Sequence, residues 1–153
     1  MKRFNHVGAL GSAVATFLLM HGGAKAQALQ ACEQNIQYAV TQPSSDVPKE
    51  ISVYSGVWVG NWASQLCSVL VVEKVDKNGI ASGKYAWGTS NAWRIKQPGV
   101  RPWSGRIADG ALVVRGKRDW GSDTAAEFHP INGNTLAGVY TVRGQYQGTF
   151  ARH

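Results

Sequence analysis

Between residues 56 and 150 a glycine repeatedly stands two positions ahead of a large apolar side chain, as in Gly56-Val57-Trp58, Gly60-Asn61-Trp62, Gly83-Lys84-Tyr85, Gly105-Arg106-Ile107, Gly138-Val139-Tyr140 and Gly148-Thr149-Phe150. On a β-strand, positions i and i+2 share a face. Each motif therefore puts a missing side chain beside a bulky one, which is how a small barrel fills a tapered interior. Glycine also lets strongly curved strands bend. Extending the same parity gives an inward set of Trp58, Trp62, Tyr85, Trp87, Trp93, Ile95, Trp103, Ile107, Leu112, Val114, Tyr140 and Phe150. The opposite parity collects Lys84, Arg94, Lys96, Arg106, Arg115 and Arg143. A slip of one residue in any strand would mix apolar with basic, so the separation supports the strand assignments.

Turn signals recur through the same stretch: Asp76-Lys77-Asn78-Gly79, Asp109-Gly110, Asn132-Gly133-Asn134 and Arg143-Gly144. They divide it into expected strands over 53–62, 66–76, 80–88, 92–97, 100–108, 111–117, 124–130, 135–142 and 145–151. Pro98 and Pro102 bracket an edge or bend. The expectation is an all-β fold, an antiparallel up-and-down meander closed as a small barrel of about eight strands. Ahead of it, Leu29, Cys32, Ile36 and Val40 recur at three-to-four spacing. That predicts a short helical arm, with about two turns over 31–39, ended by Gln42-Pro43-Ser44-Ser45-Asp46.

The chain begins Met-Lys-Arg, runs without charge from Val7 to Met20, and reaches Ala24-Lys25-Ala26. A positive start, an apolar stretch and a small-x-small site are the parts of a cleavable export signal. The organisation expected is a signal over 1–26, an arm or linker over 27–50 and a barrel domain over 51–153. The apolar stretch is shorter than the ~20 residues of a membrane span, so no span is expected and the location is periplasmic or secreted. Without residues 1–26, thirteen basic residues face nine acidic ones. This modest positive balance favours anionic surfaces without specifying one. The two cysteines, Cys32 and Cys67, suggest one disulfide in an exported chain. It would close a loop of about 35 residues and stabilise the fold by ~3–4 kcal/mol in the chain-entropy picture. Two alternatives stay open. Leu29-Gln30-Ala31-Cys32 is similar to a lipoprotein cleavage box, although it stands well beyond the apolar stretch, and both thiols could be free.

Gly56-Val57-Trp58, followed by a hairpin and Ser82-Gly83-Lys84-Tyr85, resembles the opening of avidin-like and lipocalin-like (calycin) barrels. That resemblance covers about 35 residues and implies a barrel with one interior ligand site, Trp58 plugging the base and Tyr85 facing the cavity. No later strand carries the Trp and ligand-binding Asp of the avidin pattern, so biotin is not the implied ligand. The stretch 56–152 is also similar to small exported domains of alphaproteobacteria, with a Gly-x-Trp-x-Gly-x-Trp run and a Tyr-x-Trp-Gly hairpin. Nothing functional transfers from that likeness.

The run from Tyr85 to Arg94 holds Tyr85, Trp87 and Trp93 around a polar turn. Aromatic rings of this kind at a barrel mouth can stack a flat ligand or a sugar ring, while Asn91, Thr89 and Arg94 supply hydrogen bonds. The expected ligand-binding residues are Tyr85, Trp87, Asn91, Trp93, Arg94 and Trp103, and the blander reading makes the same rings plain core. Lys117, Arg118 and Trp120 form a separate basic-aromatic group, read as an interaction surface. Catalysis is not expected. His129 and His153 are the histidines beyond the signal, no metal-ligand spacing or nucleophile elbow occurs, and nothing in the sequence brings Glu73 and Glu127 together as an acid pair. No cofactor is implied, and export disfavours nucleic acid as a partner. The expected function is non-covalent binding of a small molecule or glycan at the barrel mouth. The alternative is a protein-interaction module, such as an inhibitor of an extracellular enzyme or a partner of another exported protein.

Overall fold

A computed structural model describes residues 24–117 and 123–153; most of the expected export signal and the residues Arg118 and Trp120 lie outside them. Eight strands make a closed antiparallel barrel: β3 (Gly56–Trp62), β4 (Leu66–Val75), β5 (Ile80–Trp87), β6 (Gly99–Ala108), β7 (Ala111–Lys117), β8 (Asp123–Asn132), β9 (Thr135–Thr141) and β10 (Gln145–Arg152). Each strand pairs with the next, and β10 returns to pair with β3. The whole expected inward set lies in the barrel core or packs against it. Arg94, Lys96, Arg106, Arg115 and Arg143 are exposed.

The glycines serve a partner across the ladder as well as a neighbour along the strand. Gly60-x-Trp62 on β3 runs against Gly148-x-Phe150 on β10, and the register sets Gly60 opposite Phe150 and Trp62 opposite Gly148. A Cβ on Gly60 would lie 2.7 Å from the Phe150 ring, and one on Gly148 would lie 2.7 Å from the Trp62 ring. β5 and β6 repeat the arrangement, with Gly83 opposite Trp103 and Trp87 opposite Gly99. At Gly60, Gly99 and Gly148 the facing phenyl or indole ring thus lies over a bare stretch of the neighbouring backbone, the arrangement by which aromatic side chains cover exposed strand glycines.

One end of the barrel is sealed. Trp58 is fully buried there and donates its indole N–H to the Tyr54 carbonyl at 2.9 Å. The Tyr54 hydroxyl in turn donates to the carbonyls of Gly110 and Phe128. Arg152 lies 4.1 Å from the centre of the Trp58 ring. Its guanidinium donates to the carbonyls of Val53, Ser55 and Gly133. Gly56 adopts a φ of +126°, and any Cβ there would strike the Arg152 guanidinium. Its place two residues before Trp58 has a backbone cause first: L side chains rarely adopt this φ.

Two sequence expectations are corrected. Residues 27–38 do not form a helical arm. They form a hairpin of β1 (Gln27–Ala31) and β2 (Gln34–Tyr38), and the single short helix nearby is α1 (Lys49–Ser52). The spacing of Leu29, Cys32 and Ile36 mimics a helical face, but the buried residues Leu29, Ile36 and Tyr38 alternate with exposed ones along two strands. They cover the outer face of the barrel at Val57, Val69, Val71 and Ala86. This explains why β4 is apolar on both faces through Val69-Leu70-Val71-Val72, all of them buried. A strand covered on both sides loses its alternation. Residues 92–97 are likewise not a strand. The register that sets Trp87 opposite Gly99 leaves 88–98 as a loop, pinched by a single bridge between Ser90 and Ile95.

The disulfide is present: Cys32 in the hairpin turn is bonded to Cys67 on β4. No helix among the described residues is long and apolar enough to cross a membrane. The disulfide is compatible with a periplasmic or extracellular location.

Candidate functional site: an aromatic cavity at the open end of the barrel

Opposite the sealed end, β6 and β7 separate. They pair only through Gly105–Ala108 and Ala111–Val114, so 99–104 and 115–117 diverge towards the rim. Pro102 pairs with Lys84 of β5 but lies in the half of β6 that has no β7 partner. A proline has no ladder N–H to offer and is tolerated where pairing is not required. A cavity of about 380 Å³ opens beside this gap. Trp62 and Phe128, both buried, lie at its inner end. Tyr85, Trp87, Trp103 and Tyr140 line it from the strands, and Trp93 joins them from the 88–98 loop.

The inner polar groups are bonded to one another. Trp62 donates its indole N–H to the Tyr85 hydroxyl at 2.6 Å, and that hydroxyl donates to Ser68 Oγ at 2.8 Å. Trp103 donates its indole N–H to the Val71 carbonyl at 3.2 Å. No buried side-chain nitrogen or oxygen among the described residues lacks a partner. Burial pushes the Tyr85 phenol up to about 12, against the opposing hydrogen bonds with Ser68 and Trp62, so it is neutral across the physiological range. The inner part of the cavity therefore presents ring faces and already-paired polar atoms.

Three arginines stand at the rim. Arg94, Arg101 and Arg115 all line the cavity. Arg101 was not singled out by the sequence reading, although it shares the parity of Trp103. The register sets it opposite Tyr85, with its guanidinium 5.5 Å from the centre of the Trp87 ring, within the range of a cation–π contact. Arg94 has a left-handed backbone, φ 54°, in a turn closed by its own N–H on the Asn91 carbonyl.

Of the six expected ligand-binding residues, five line the cavity: Tyr85, Trp87, Trp93, Arg94 and Trp103. Asn91 does not; it is exposed on the loop. Trp93 packs between Tyr146, at 4.5 Å between ring centres, and Tyr140, at 5.9 Å. Of the second group, Lys117 ends β7, while Arg118 and Trp120 lie outside the described residues. Glu73 pairs with Lys84 at 3.7 Å and accepts the Ala39 N–H, whereas Glu127 pairs with His129 at 2.8 Å. Among the described residues no three His, Cys, Asp or Glu side chains cluster as a metal ion would require.

The hairpin fastens the mouth loop at both ends. Gln34 donates from Nε2 to the carbonyls of Trp87 and Gly99, the two residues that flank the loop. The Glu33 carboxylate accepts the backbone N–H of Thr89 at 2.7 Å and its hydroxyl as well. The backbone bond, and after it the side-chain bond, hold the Glu33 carboxyl below the usual carboxylate range. Gly88 donates its N–H to the carbonyl of Cys67, the cysteine bonded to Cys32. No family profile, curated protein or solved structure matches this chain.

Proposed function

We propose that this is an exported, calycin-like binding barrel that holds a small molecule non-covalently in its open end, with Trp87, Trp93 and Trp103 contacting the ligand. The observation that carries the reading is the cavity itself. An eight-stranded barrel has room for its own side chains or for one small ligand. Here the sealed end is filled by Trp58 and Arg152, while about 380 Å³ is left at the other. Small-molecule sites run from about 300 to 1,000 Å³ and are mostly apolar, with a few polar groups that fix orientation. The aromatic walls and arginine rim have that composition. The calycin likeness is supported by the closed eight-stranded meander and by the Gly56-x-Trp58 base.

Tryptophan emission tests the proposal, because three indoles line the cavity wall beside Trp62. Titration with a panel of aromatic compounds and saccharides should shift or quench emission saturably for at least one member, and Trp87→Ala should abolish the response. An emission spectrum unchanged by every member up to millimolar concentration would refute the reading.

A further inference from the structure

We infer that the Cys32–Cys67 disulfide is a redox-operated clasp on the ligand site: its opening by a dithiol frees the mouth loop and weakens binding while the barrel stays closed. The inference rests on the binding reading above and names how that site is regulated.

The site is assembled from two parts that are held differently. Tyr85, Trp87 and Trp103 stand on the paired strands β5 and β6, so the ladder fixes them. Trp93 stands on the loop between those strands, which is pinched on itself at Ser90 and Ile95. The hairpin turn ties that loop to the barrel. Glu33 accepts the backbone N–H and the hydroxyl of Thr89, and Gln34 Nε2 bridges the carbonyls of Trp87 and Gly99 at 2.9 and 3.1 Å. Gly88 passes so close to the turn that a Cβ on it would lie 3.4 Å from the Cys32 Cβ. Cys32, Glu33 and Gln34 are consecutive, so a shift of the turn disturbs all of these contacts together.

The turn is also held under strain. Cys32 and Glu33 both have left-handed backbones, a region that L side chains disfavour. While Cys32 is bonded to Cys67 on β4, the turn cannot relax without pulling on the barrel wall. Once the bond opens, the turn relaxes at the expense of the Glu33 and Gln34 bonds to the loop. The rest of the hairpin stays seated, because Leu29, Ile36 and Tyr38 are packed on Val57, Val69, Val71 and Ala86. Release is therefore confined to the turn and the loop, and Trp93 loses its fixed place on the cavity wall.

The step is thiol–disulfide exchange. Cys67 is the less buried of the two cysteines, so a thiolate of the dithiol attacks its sulfur, and the Cys32 sulfur leaves as a thiolate and takes up a proton. The second thiol of the reductant then displaces Cys67 as a thiol and leaves as a cyclic disulfide. Two electrons and two protons pass from the reductant to the protein. Coupling of this kind is reciprocal, so a bound ligand makes the disulfide harder to reduce by the same factor by which reduction weakens binding.

Hydrogen exchange and a binding titration on oxidised and dithiothreitol-reduced protein test the clasp, with the neutral fluorophore aminoanthracene as the probe. Reduction should speed exchange through 88–98 by at least about tenfold while β3, β4 and β5 keep their protection. It should weaken probe binding by at least about fivefold, and reoxidation should restore both. The paired Cys32→Ser and Cys67→Ser variant should behave as the reduced protein and ignore dithiothreitol. Loop exchange or probe affinity that is unchanged on reduction overturns the clasp and leaves the cavity reading standing. Loss of protection throughout the barrel also overturns it, because the bond would then hold the whole fold. Failure of the oxidised protein to bind the probe overturns both readings.

Discussion

At the scale of single residues, the pairing of bare and bulky positions explains much of this barrel. Trp62 touches the rings of Phe128, Tyr140 and Phe150 at centre distances of 5.0–5.7 Å. It fits because Gly138 and Gly148, opposite each other on β9 and β10, leave a bare track beneath it. Gly148→Ala would put a methyl group 2.7 Å from the indole and 2.8 Å from the Asn61 carbonyl oxygen. Neither the buried ring nor the ladder backbone can yield readily, so chemical denaturation should show a loss of about 1–3 kcal/mol. Tyr85 allows a second check. Its folded pKa of about 12 lies above its ordinary value of 10. The neutral phenol therefore contributes its full stability below pH 10, and that contribution fades as pH rises through 12. Absorbance titration should show a tyrosine class ionising near 12 that is reduced by one residue in Tyr85→Phe. The inward parity of these side chains was legible in the sequence. The cross-strand partners were not, because they depend on a register that no single strand carries. Arg101 escaped notice for a related reason: alternation assigns charges to the outer face, and this one turns inward at a rim where it remains solvated.

At the scale of elements, the β1–β2 hairpin both covers the barrel wall and anchors the mouth. Its turn residues, Cys32 and Glu33, have left-handed backbones at φ 49° and 65°, as a two-residue type I′ turn requires. Neither residue favours that region, which costs roughly 1–2 kcal/mol for each. Both are held there from outside the hairpin, Cys32 by Cys67 and Glu33 by Thr89. This is why the hairpin was illegible. A turn of this kind is sought at Asn-Gly or Asp-Gly, and here the partners that stabilise it lie 35 and 56 residues away. Because the Glu33 carboxyl is held low by Thr89, its grip on the loop is complete above the ordinary carboxylate pKa. It is lost as pH falls through the depressed folded value. Trp93 emission should therefore change on acidification below the usual carboxylate range, and that acid transition should be missing in Glu33→Gln, which does not titrate. Paired Cys32→Ser and Cys67→Ser substitution should lower stability by about 3–4 kcal/mol if loop closure dominates, and hydrogen exchange should quicken through 88–98.

At the scale of the whole molecule, the barrel divides its labour between its ends. The sealed end carries Arg152, whose side chain satisfies three backbone carbonyls and covers Trp58. Those carbonyls belong to Val53 and Ser55 before β3 and to Gly133 between β8 and β9, so one side chain joins the segment leading into the first barrel strand to the β8–β9 turn. The open end has a parted β6–β7 pair and a loop held by the hairpin. No residue of the sealed-end cluster Tyr54, Trp58 and Arg152 lines the cavity. Arg152→Ala removes charge-assisted hydrogen bonds from partly buried carbonyls and uncovers the indole. The expected loss is about 2–4 kcal/mol, read as a lower urea midpoint. Because the cavity lies at the other end of a closed ladder, ligand affinity at temperatures where the variant is folded should match the parent. Trp93→Ala should do the reverse. It removes a ring that packs at the rim on Tyr146 and Tyr140 outside the buried core, so affinity should fall while the urea midpoint changes little. A variant series in which stability and affinity fell together at both ends would mean that the two ends act as one cooperative unit, with the cavity simply the least filled part of the core.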